Sequence, residues 1–223
     1  MSDNSLYIGF DFSMNKPAMT AFTNGRLYFY FWPSKLTQKN ADLYAECGVN
    51  IKVRCLDAVN PKKMENSQIV LIHTIRSTDL ANMIISDIDN LIASAELESP
   101  DIYICSEGLS YDSRGDAGLN LATYKGVLLS KIYEHFGDNL KRLFTYSPIT
   151  IKATAGCATK EARSLKQPMI QSFCRQAPVT PFKTAVTDGT LVAKTNYIEG
   201  VDDLVDSYWT LVTMSKKEKY NIF

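Results

Sequence analysis

The chain has 223 residues, 45% of them hydrophobic and 22% charged, which is typical of a globular protein with a real core and excludes disorder as the default. Lys plus Arg and Asp plus Glu each number 24. This balance gives no support to a polyanionic partner, although a local basic patch would be enough to attract phosphates. The length suits one domain, so we predict a single domain over residues 1–223 with an insertion or arm at about residues 33–67.

The cysteine and histidine content excludes several kinds of site. The five Cys include no pair at C-x-x-C spacing, which disfavours both a disulfide framework and a thiolate zinc site. Only His73 and His135 are available for chemistry that needs histidine. The sequence has no secretory signal pattern and no run of about 18 apolar residues. We therefore expect a soluble, cytoplasmic protein with no membrane partner.

Three strands are predicted at the start of the chain. Apolar runs cover Leu6–Met14, Met19–Asn24 and Arg26–Trp32. Asn24-Gly25 separates the last two runs, and this dipeptide between apolar segments is a strong hairpin signal. The pattern predicts an antiparallel meander.

The middle of the chain is less regular before it becomes helical. Pro33–Ser67 contains a strand candidate at Ile51–Leu56 and a polar loop at Asn60–Ser67, and we interpret it as the insertion or arm. Ser77–Glu98 has apolar residues at helical spacing, with Ser77 or Thr78 as the cap. This pattern predicts a helix.

Two further strands and a helix are predicted next. Asp101–Glu107 and Arg142–Ser147 have the composition of strands, and Pro148 closes the second one. Leu119–Phe136 has the pattern of a helix that ends at Gly137. The strand, helix, strand order favours parallel pairing of these two strands.

The C-terminal part is predicted to end in a helix. We expect a helix from about Thr159 that Pro168 kinks or stops, and then a hairpin or loop over Ala177–Tyr197 around Asp188-Gly189. The last helix runs from about Val201 to Lys216, with an apolar stripe. The complete order predicts an α/β fold with a mixed central sheet, three antiparallel strands followed by parallel strands, flanked by helices.

Four carboxylates stand out against this framework. Asp11 lies inside an apolar strand and Glu107 ends another, where a charge is costly unless it is paired or bound to a cation. Asp203 and Asp206 are three residues apart and share one face of the last helix, while Asp202 points about 100° away. Hard divalent cations such as Mg²⁺ prefer carboxylate oxygens, and such a centre can promote phosphodiester cleavage without histidine.

Each of these features also has an ordinary interpretation. A single strand Asp is more often a satisfied buried acid, and an Asp-x-x-Asp at a helix start more often complements the helix dipole. The prediction therefore rests on all of these acids occurring together, in order, on suitable elements. Whether Asp202 or Asp203 is the ligand stays open at this stage.

The order of motifs resembles the RuvC-like Holliday junction resolvases of the RNase H-like superfamily. Their Ile-Gly-Ile-Asp strand is similar to Ile8-Gly9-Phe10-Asp11, and their second acidic motif to Ile104-Cys105-Ser106-Glu107 followed by Tyr124-Lys125-Gly126-Val127. Their closing Asp-x-x-Asp helix is similar to the segment from Asp203 to Asp206. The pattern Pro148, Lys152, Gly156, Ala158 and Lys160 resembles a fourth family segment. The divergence from bacterial forms indicates a viral or phage branch.

The resemblance implies an activity and a set of site residues. The implied enzyme is a Mg²⁺-dependent endodeoxyribonuclease that resolves four-way or branched DNA, with Mn²⁺ as a substitute metal and no nucleotide cofactor. Asp11, Glu107, Asp203 and Asp206 are the implied catalytic metal ligands. The family places a Lys near the scissile phosphate, for which Lys160 is our first choice and Lys152 the second. Tyr111 stands close to where the family often has an aromatic wedge.

Partners follow from the resemblance and from helical spacing. Lys160, Arg163 and Lys166 would lie on one helix face and form the best phosphate-contact candidates, with Lys125 and Lys152 as additional DNA-binding residues. Family resemblance implies a homodimer. The apolar stripe of Leu119–Phe136 is the candidate dimer face, although such a stripe is more commonly core.

Three other functions remain as alternatives. A flap or RNA–DNA hybrid nuclease of the same fold would have the same acids, and only substrate choice would distinguish it. An actin-fold ATPase would need two related halves and Gly-rich phosphate loops, which this sequence with 11 Gly lacks. A non-catalytic DNA-binding module would keep the fold and tolerate loss of Asp11.

Overall fold

A six-stranded mixed sheet forms the centre of the computed structural model, which describes residues 4–54, 56, 64–108, 116–157, 166–193, 196–220 and 222. The strand order is β4-β3-β2-β1-β5-β6. Antiparallel pairing joins β1 to β2 and β2 to β3, whereas β1–β5, β5–β6 and β3–β4 are parallel. The strands are β1 (Ser5–Asp11), β2 (Ala18–Thr23), β3 (Arg26–Phe31), β4 (Val49–Ile51), β5 (Asp101–Glu107) and β6 (Leu140–Tyr146).

Helices cover both faces of this sheet, and a two-stranded hairpin lies outside it. Apolar residues of α2 and α3 pack on the face that includes Ile8 and Phe10. The helices α4 to α7 contribute to the core on the other face, which includes Phe29 and Phe31. The helices are α1 (Gln38–Glu46), α2 (Asn66–Ser94), α3 (Asp116–Phe136), α4 (Pro148–Thr154), α5 (Gln167–Gln176), α6 (Pro181–Thr187) and α7 (Val201–Glu218), and the hairpin is β7 (Val192–Ala193) with β8 (Asn196–Tyr197).

The predicted mixed sheet is confirmed. The Asn24-Gly25 turn joins β2 and β3 with both residues at positive φ, as a tight hairpin requires. The strand prediction for Asp101–Glu107 agrees with β5 at both ends. α3 ends at Phe136, and Gly137 follows with a left-handed φ of 48°. Local turn chemistry and strand composition were therefore sufficient for this part of the fold.

Two boundaries in the middle of the chain were predicted wrongly. α2 begins at Asn66 rather than at Ser77, because a capping box between Glu65 and Gln68 starts it earlier. Ser77 lies inside the helix, where its hydroxyl donates to the carbonyl of Thr74. The strand expected at Ile51–Leu56 is instead β4, which ends at Ile51.

Three prolines in the C-terminal half stand at the beginnings of helices. Pro148, Pro168 and Pro181 each stand in the first turn of a helix, where the missing N–H has no intrahelical acceptor to lose. Pro168 therefore lies in the first turn of α5, and the helix predicted from Thr159, which Pro168 was expected to kink or stop, would begin within 158–165, outside the described residues. α6 was not expected within Ala177–Tyr197. The hairpin in that range turns between residues 193 and 196, not at Asp188-Gly189.

The segment Pro33–Ser67 contributes to the core, at least in its first half. β4 extends the main sheet as an edge strand, and Tyr44 of α1 is fully buried. The hydroxyl of Tyr44 donates to the carbonyl of Glu199 at 2.8 Å, immediately before α7. This contact places α1 against the N-terminal end of α7. Residues 55 and 57–63 lie outside the described part of the chain.

Two further structural findings concern the cysteines and the possibility of a membrane-spanning helix. Cys47, Cys105, Cys157 and Cys174 are free thiols, and Cys55 lies outside the described residues. Among the helices that the structure describes, none is long and apolar enough to span a lipid bilayer.

Candidate active site

Asp11 and Glu107 are the last residues of β1 and β5, two neighbouring parallel strands whose C-terminal ends lie at the same edge of the sheet. The β1–β5 register pairs Phe10 with Ser106, so the two acids follow directly after a paired position. Side chains alternate along a strand, and Gly9 and Cys105, two residues earlier, both face α7. Asp11 and Glu107 therefore share the face of the sheet on which α7 packs.

α7 lies unusually close to β1 because Gly9 has no side chain. A Cβ added at Gly9 would be 2.5 Å from the carbonyl oxygen of Ser207 and 2.6 Å from the nitrogen of Leu211. Two polar contacts fix the helix further, since the hydroxyls of Thr20 and Ser207 are 2.7 Å apart and the Cys105 thiol donates to the carbonyl of Thr210. This packing sets the height of α7 over the strand that carries Asp11.

The first turns of α7 bring Asp203 and Asp206 toward the strand acids. The helix begins after Gly200, whose φ of 102° suits glycine and whose missing Cβ leaves room for the Phe31 ring. Oδ2 of Asp203 is buried and has no hydrogen-bond partner among the residues that the structure describes. Asp202 forms an ion pair with Lys166. Of these two adjacent acids, Asp203 is the one whose charge raises the pKa values of Asp11 and Asp206.

The four acids affect one another electrostatically. Burial raises the pKa of Asp11 well above its ordinary value, and the negative charges of Asp206, Asp203 and Glu107 raise it further. Burial, followed by the charges of Glu107 and Asp203, raises the pKa of Asp206 to about 7. Such mutual shifts require the carboxylates to be near neighbours in a poorly solvated place. Perturbed acids of this kind are concentrated at functional sites.

Lysines flank this acidic cluster on two sides. Burial raises the pKa of Asp203, against the opposing charges of Lys166 and Lys16. Burial also raises the pKa of Glu107, against those of Lys152 and Lys125. Lys16 forms an ion pair of 2.8 Å with Glu199. Of these cations, Lys16, Lys152 and Lys166 could contact the phosphates of a substrate near the acids.

The structure brings some of the predicted site residues together and places others apart. Asp11, Glu107, Asp203 and Asp206 come together, and Lys152 lies near two of them. Lys166 is exposed beside Asp202. Lys125 is only 9% exposed, which speaks against the DNA contact we predicted for it. Tyr111, Lys160 and Arg163 lie outside the described residues.

The sequence interpretation missed Lys16 and Glu199. Lys16 follows β1 in the loop that returns to β2, where its backbone N–H donates to the Ser13 hydroxyl. Glu199 directly precedes Gly200 and the start of α7. Proximity to Asp11 and to Asp203 along the chain was the only available signal, and charged loop residues are too common for that signal to be specific.

The side chains of the acids, as the structure describes them, are not close enough to one another to enclose a metal ion. Across residues 4–54, 64–108, 116–157 and 166–220 as far as they are described, no three His, Cys, Asp or Glu side chains converge closely enough to hold an ion. The repulsion that raises the pKa of Asp11 acts against such convergence. The all-oxygen donor set and the unpartnered Oδ2 of Asp203 nevertheless fit a hard divalent cation.

Solved structures share this architecture at low sequence identity. The yeast mitochondrial Holliday junction resolvase Ydc2 matches with a TM-score of 0.50 and 14% identity, over 99% of this chain and 83% of its own. The chain has the RNase H-like fold of the RuvC-like resolvases. Two structures of Thermus thermophilus RuvC, one in complex with a Holliday junction substrate, match over 96% of each chain with TM-scores of 0.46 and 0.44 and identities of 8% and 10%. No protein-family model matches the sequence, and no curated protein does.

Proposed function

We propose that this protein is a metal-dependent, structure-selective endodeoxyribonuclease that resolves four-way or other branched DNA by hydrolysing phosphodiester bonds. One observation carries the proposal. Four carboxylates from β1, β5 and α7 lie at one edge of the sheet, where burial and the neighbouring carboxylates raise the pKa values of Asp11 and Asp206. The resolvase-like fold is consistent with this chemistry, and the RuvC structure named above was solved with a Holliday junction substrate.

The cation would be held by Asp11, Glu107, Asp203 and Asp206. Carboxylate oxygens are the ligands that Mg²⁺ prefers, and Mn²⁺ accepts the same donors. No donor in the described part of the chain reaches the buried Oδ2 of Asp203, and a cation would satisfy this oxygen. When bound, the ion supplies Lewis acidity at the phosphodiester and favours deprotonation of water.

The protein's own contribution is to orient the acids and to balance the charge of the phosphate. Gly9 and Ser207 hold α7 against β1, which keeps Asp206 close to Asp11. Lys152 lies near Glu107 and Asp206 and would stabilise negative charge as it develops on the phosphate. Lys160 stays our first choice for this role from the resemblance, and it lies outside the described residues.

Phosphate contacts would come from the cations around the acidic cluster. Lys16 and Lys166 flank it near Asp203. Arg163 and Tyr111 remain proposed DNA contacts from the sequence. The overall charge is zero, so DNA binding would depend on this local set of cations and weaken steeply with salt.

A homodimer would place two such sites on symmetrically related strands of a four-way junction. The stripe of α3 that we proposed as the dimer face is divided, since Leu128 and Ile132 are buried in the core while Leu119 is 69% exposed. Exposed apolar side chains continue on α2 at Val70, Leu71 and Ile75. Sedimentation velocity of the wild type and of Leu71→Glu tests this face. We expect the wild type to be a dimer and the substitution to weaken the dimer.

A panel of substrates tests the function. Purified protein with Mg²⁺ is incubated with a four-way junction, a flap, an RNA–DNA hybrid and a linear duplex of matched sequence. We expect symmetrically paired nicks in the junction and little cleavage of the linear duplex. Preference for the flap or the hybrid would replace the junction claim by another nuclease of this fold. Binding without cleavage under Mg²⁺ and Mn²⁺ would indicate a non-catalytic DNA-binding module.

A further inference from the structure

Lys125 of α3 directs its side chain into the protein instead of toward solvent. The residue is 9% exposed, and its Nζ donates a hydrogen bond to the backbone carbonyl oxygen of Glu107 at 2.6 Å. Lysine is almost never this buried without a partner, because the ammonium loses its hydration. The hydrogen bond to Glu107 therefore compensates for the lost hydration of the Lys125 ammonium.

The carbonyl that accepts this bond belongs to the last residue of β5. On one side of the strand, the ladder with β6 continues to the end, since Glu107 pairs with Tyr146 and the N–H of Gly108 donates to the Tyr146 carbonyl at 2.7 Å. The parallel ladder with β1 reaches Ser106. Lys125 adds a third restraint, from α3, to the backbone that carries the Glu107 carboxylate.

The electrostatic interaction between Lys125 and Glu107 agrees with this hydrogen bond. The positive charges of Lys152 and Lys125 both oppose the rise that burial causes in the pKa of Glu107. In return, the charge of Glu107 opposes the fall that burial causes in the pKa of Lys125. The ammonium and the carboxylate therefore stabilise each other's charged forms although the hydrogen bond goes to the backbone.

We propose that Lys125 is a positioning residue for Glu107, which fixes the end of β5 from α3 and so holds the Glu107 carboxylate toward Asp11 and Asp206. The inference rests on the proposed function, because it takes Glu107 as a ligand of the catalytic cation. The Lys125 ammonium contacts the backbone of Glu107 and not bulk solvent. Lys125 would therefore act on the metal site through Glu107 and would not contact DNA. Residues that orient metal ligands typically influence metal affinity or activity by about 10–100-fold.

The test is Mn²⁺ titration of the purified protein by calorimetry, together with junction affinity in EDTA and the melting temperature. Lys125→Met removes the ammonium and keeps the apolar stem, Lys125→Arg keeps a donor, and Lys131→Met on the same helix is the matched control. We expect Lys125→Met to weaken Mn²⁺ binding by about tenfold or more. Junction affinity should stay within about twofold, Lys125→Arg should recover part of the loss, and Lys131→Met should match the wild type.

A double-mutant cycle separates positioning from a general effect on folding. In a Glu107→Gln background, Lys125→Met should have little further effect on Mn²⁺ affinity, because both changes act on one ligand. If Lys125→Met does not fold, Lys125→Gln takes its place in the same cycle. Unchanged Mn²⁺ affinity in a folded variant, or an equal loss of junction affinity, would overturn the inference. A wild type that binds no Mn²⁺ would overturn the proposed function as well, which distinguishes the two failures.

Discussion

Gly9 of β1 and Ser207 of α7 approach so closely that no other residue fits at position 9. A Cβ there would lie 2.5 Å from the Ser207 carbonyl oxygen, and backbone atoms cannot yield as the end of a flexible side chain can. The distance between β1 and α7 therefore depends on a missing methyl group. The same distance determines how near Asp206 comes to Asp11.

Gly9→Ala should push α7 away from β1 and weaken both the fold and the site. Overpacking of this kind costs about 1–3 kcal/mol, so the free energy of unfolding should fall by that amount in urea denaturation. Mn²⁺ affinity should fall as well, because Asp203 and Asp206 move with the helix. Gly126→Ala is the control, since a Cβ there has no neighbour within 4 Å and alanine favours a helix. Equal stability of Gly9→Ala and the wild type would contradict the close packing.

Asp202 and Asp203 should differ sharply although they are adjacent. Asp203→Asn should reduce Mn²⁺ affinity and cleavage by on the order of 100-fold or more, because several kcal/mol of interaction with the cation are lost. Asp202→Asn removes the ion pair with Lys166, whose side chain is 70% exposed, so we expect a small effect. Calorimetric titration and single-turnover cleavage measure both variants. If Asp202→Asn proved the more damaging, the assignment within this pair would be reversed.

Stability without metal should decrease as the pH rises. The pKa of Asp206 is raised by burial from an ordinary 3.8 to about 7, so between these values the folded protein holds a proton that the unfolded chain releases. Protonation therefore favours the folded state, and the gain is lost as pH rises through about 7. In EDTA, the melting temperature should be higher at about pH 5.5 than at about pH 8, and Mg²⁺ should reduce the difference. A melting temperature that rises with pH in EDTA would contradict this account.

Lys152 should influence cleavage more than binding. Its charge opposes the raised pKa values of Glu107 and Asp206, which places it beside the acids rather than along a remote DNA path. Lys152→Met should lower the cleavage rate constant by about 10²–10³-fold, as loss of one group that stabilises developing charge does. Lys217→Met, in the exposed last turn of α7, should have no such effect. Single-turnover kinetics on a bound junction separates the two steps.

The sequence was most informative where local chemistry decides structure. Asn24-Gly25 determined the first hairpin, and Asp101–Glu107 was evident as a strand from its composition. Asp11 and Glu107 could be singled out because a charge at the end of an apolar strand is costly. Their grouping with Asp203 and Asp206 was expected from the order of the motifs and from the resemblance, whereas the parallel pairing of β1 with β5 and the packing of α7 on β1 came from the structure.

What the sequence could not provide depends on tertiary packing. Lys125 has the pattern of an exposed helical lysine, and only the fold shows that α3 turns it toward the Glu107 carbonyl. Pro168 is compatible with either the end or the first turn of a helix, and the decision lies in contacts of Met169 and Phe173 with the core. The start of α2 was missed because a Glu–Gln capping box is less conspicuous than the serine at position 77.

We propose that the acids of β1, β5 and α7 act as one metal-dependent centre for cleaving branched DNA. The most direct test of this claim incubates a labelled four-way junction with wild type or Asp11→Asn, in Mg²⁺ or in EDTA, with Asp79→Asn on α2 as the control acid. We predict paired nicks for the wild type and Asp79→Asn in Mg²⁺ alone, and bound but uncut junction for Asp11→Asn. Cleavage that persists in EDTA, or in Asp11→Asn at the wild-type rate, would contradict the claim.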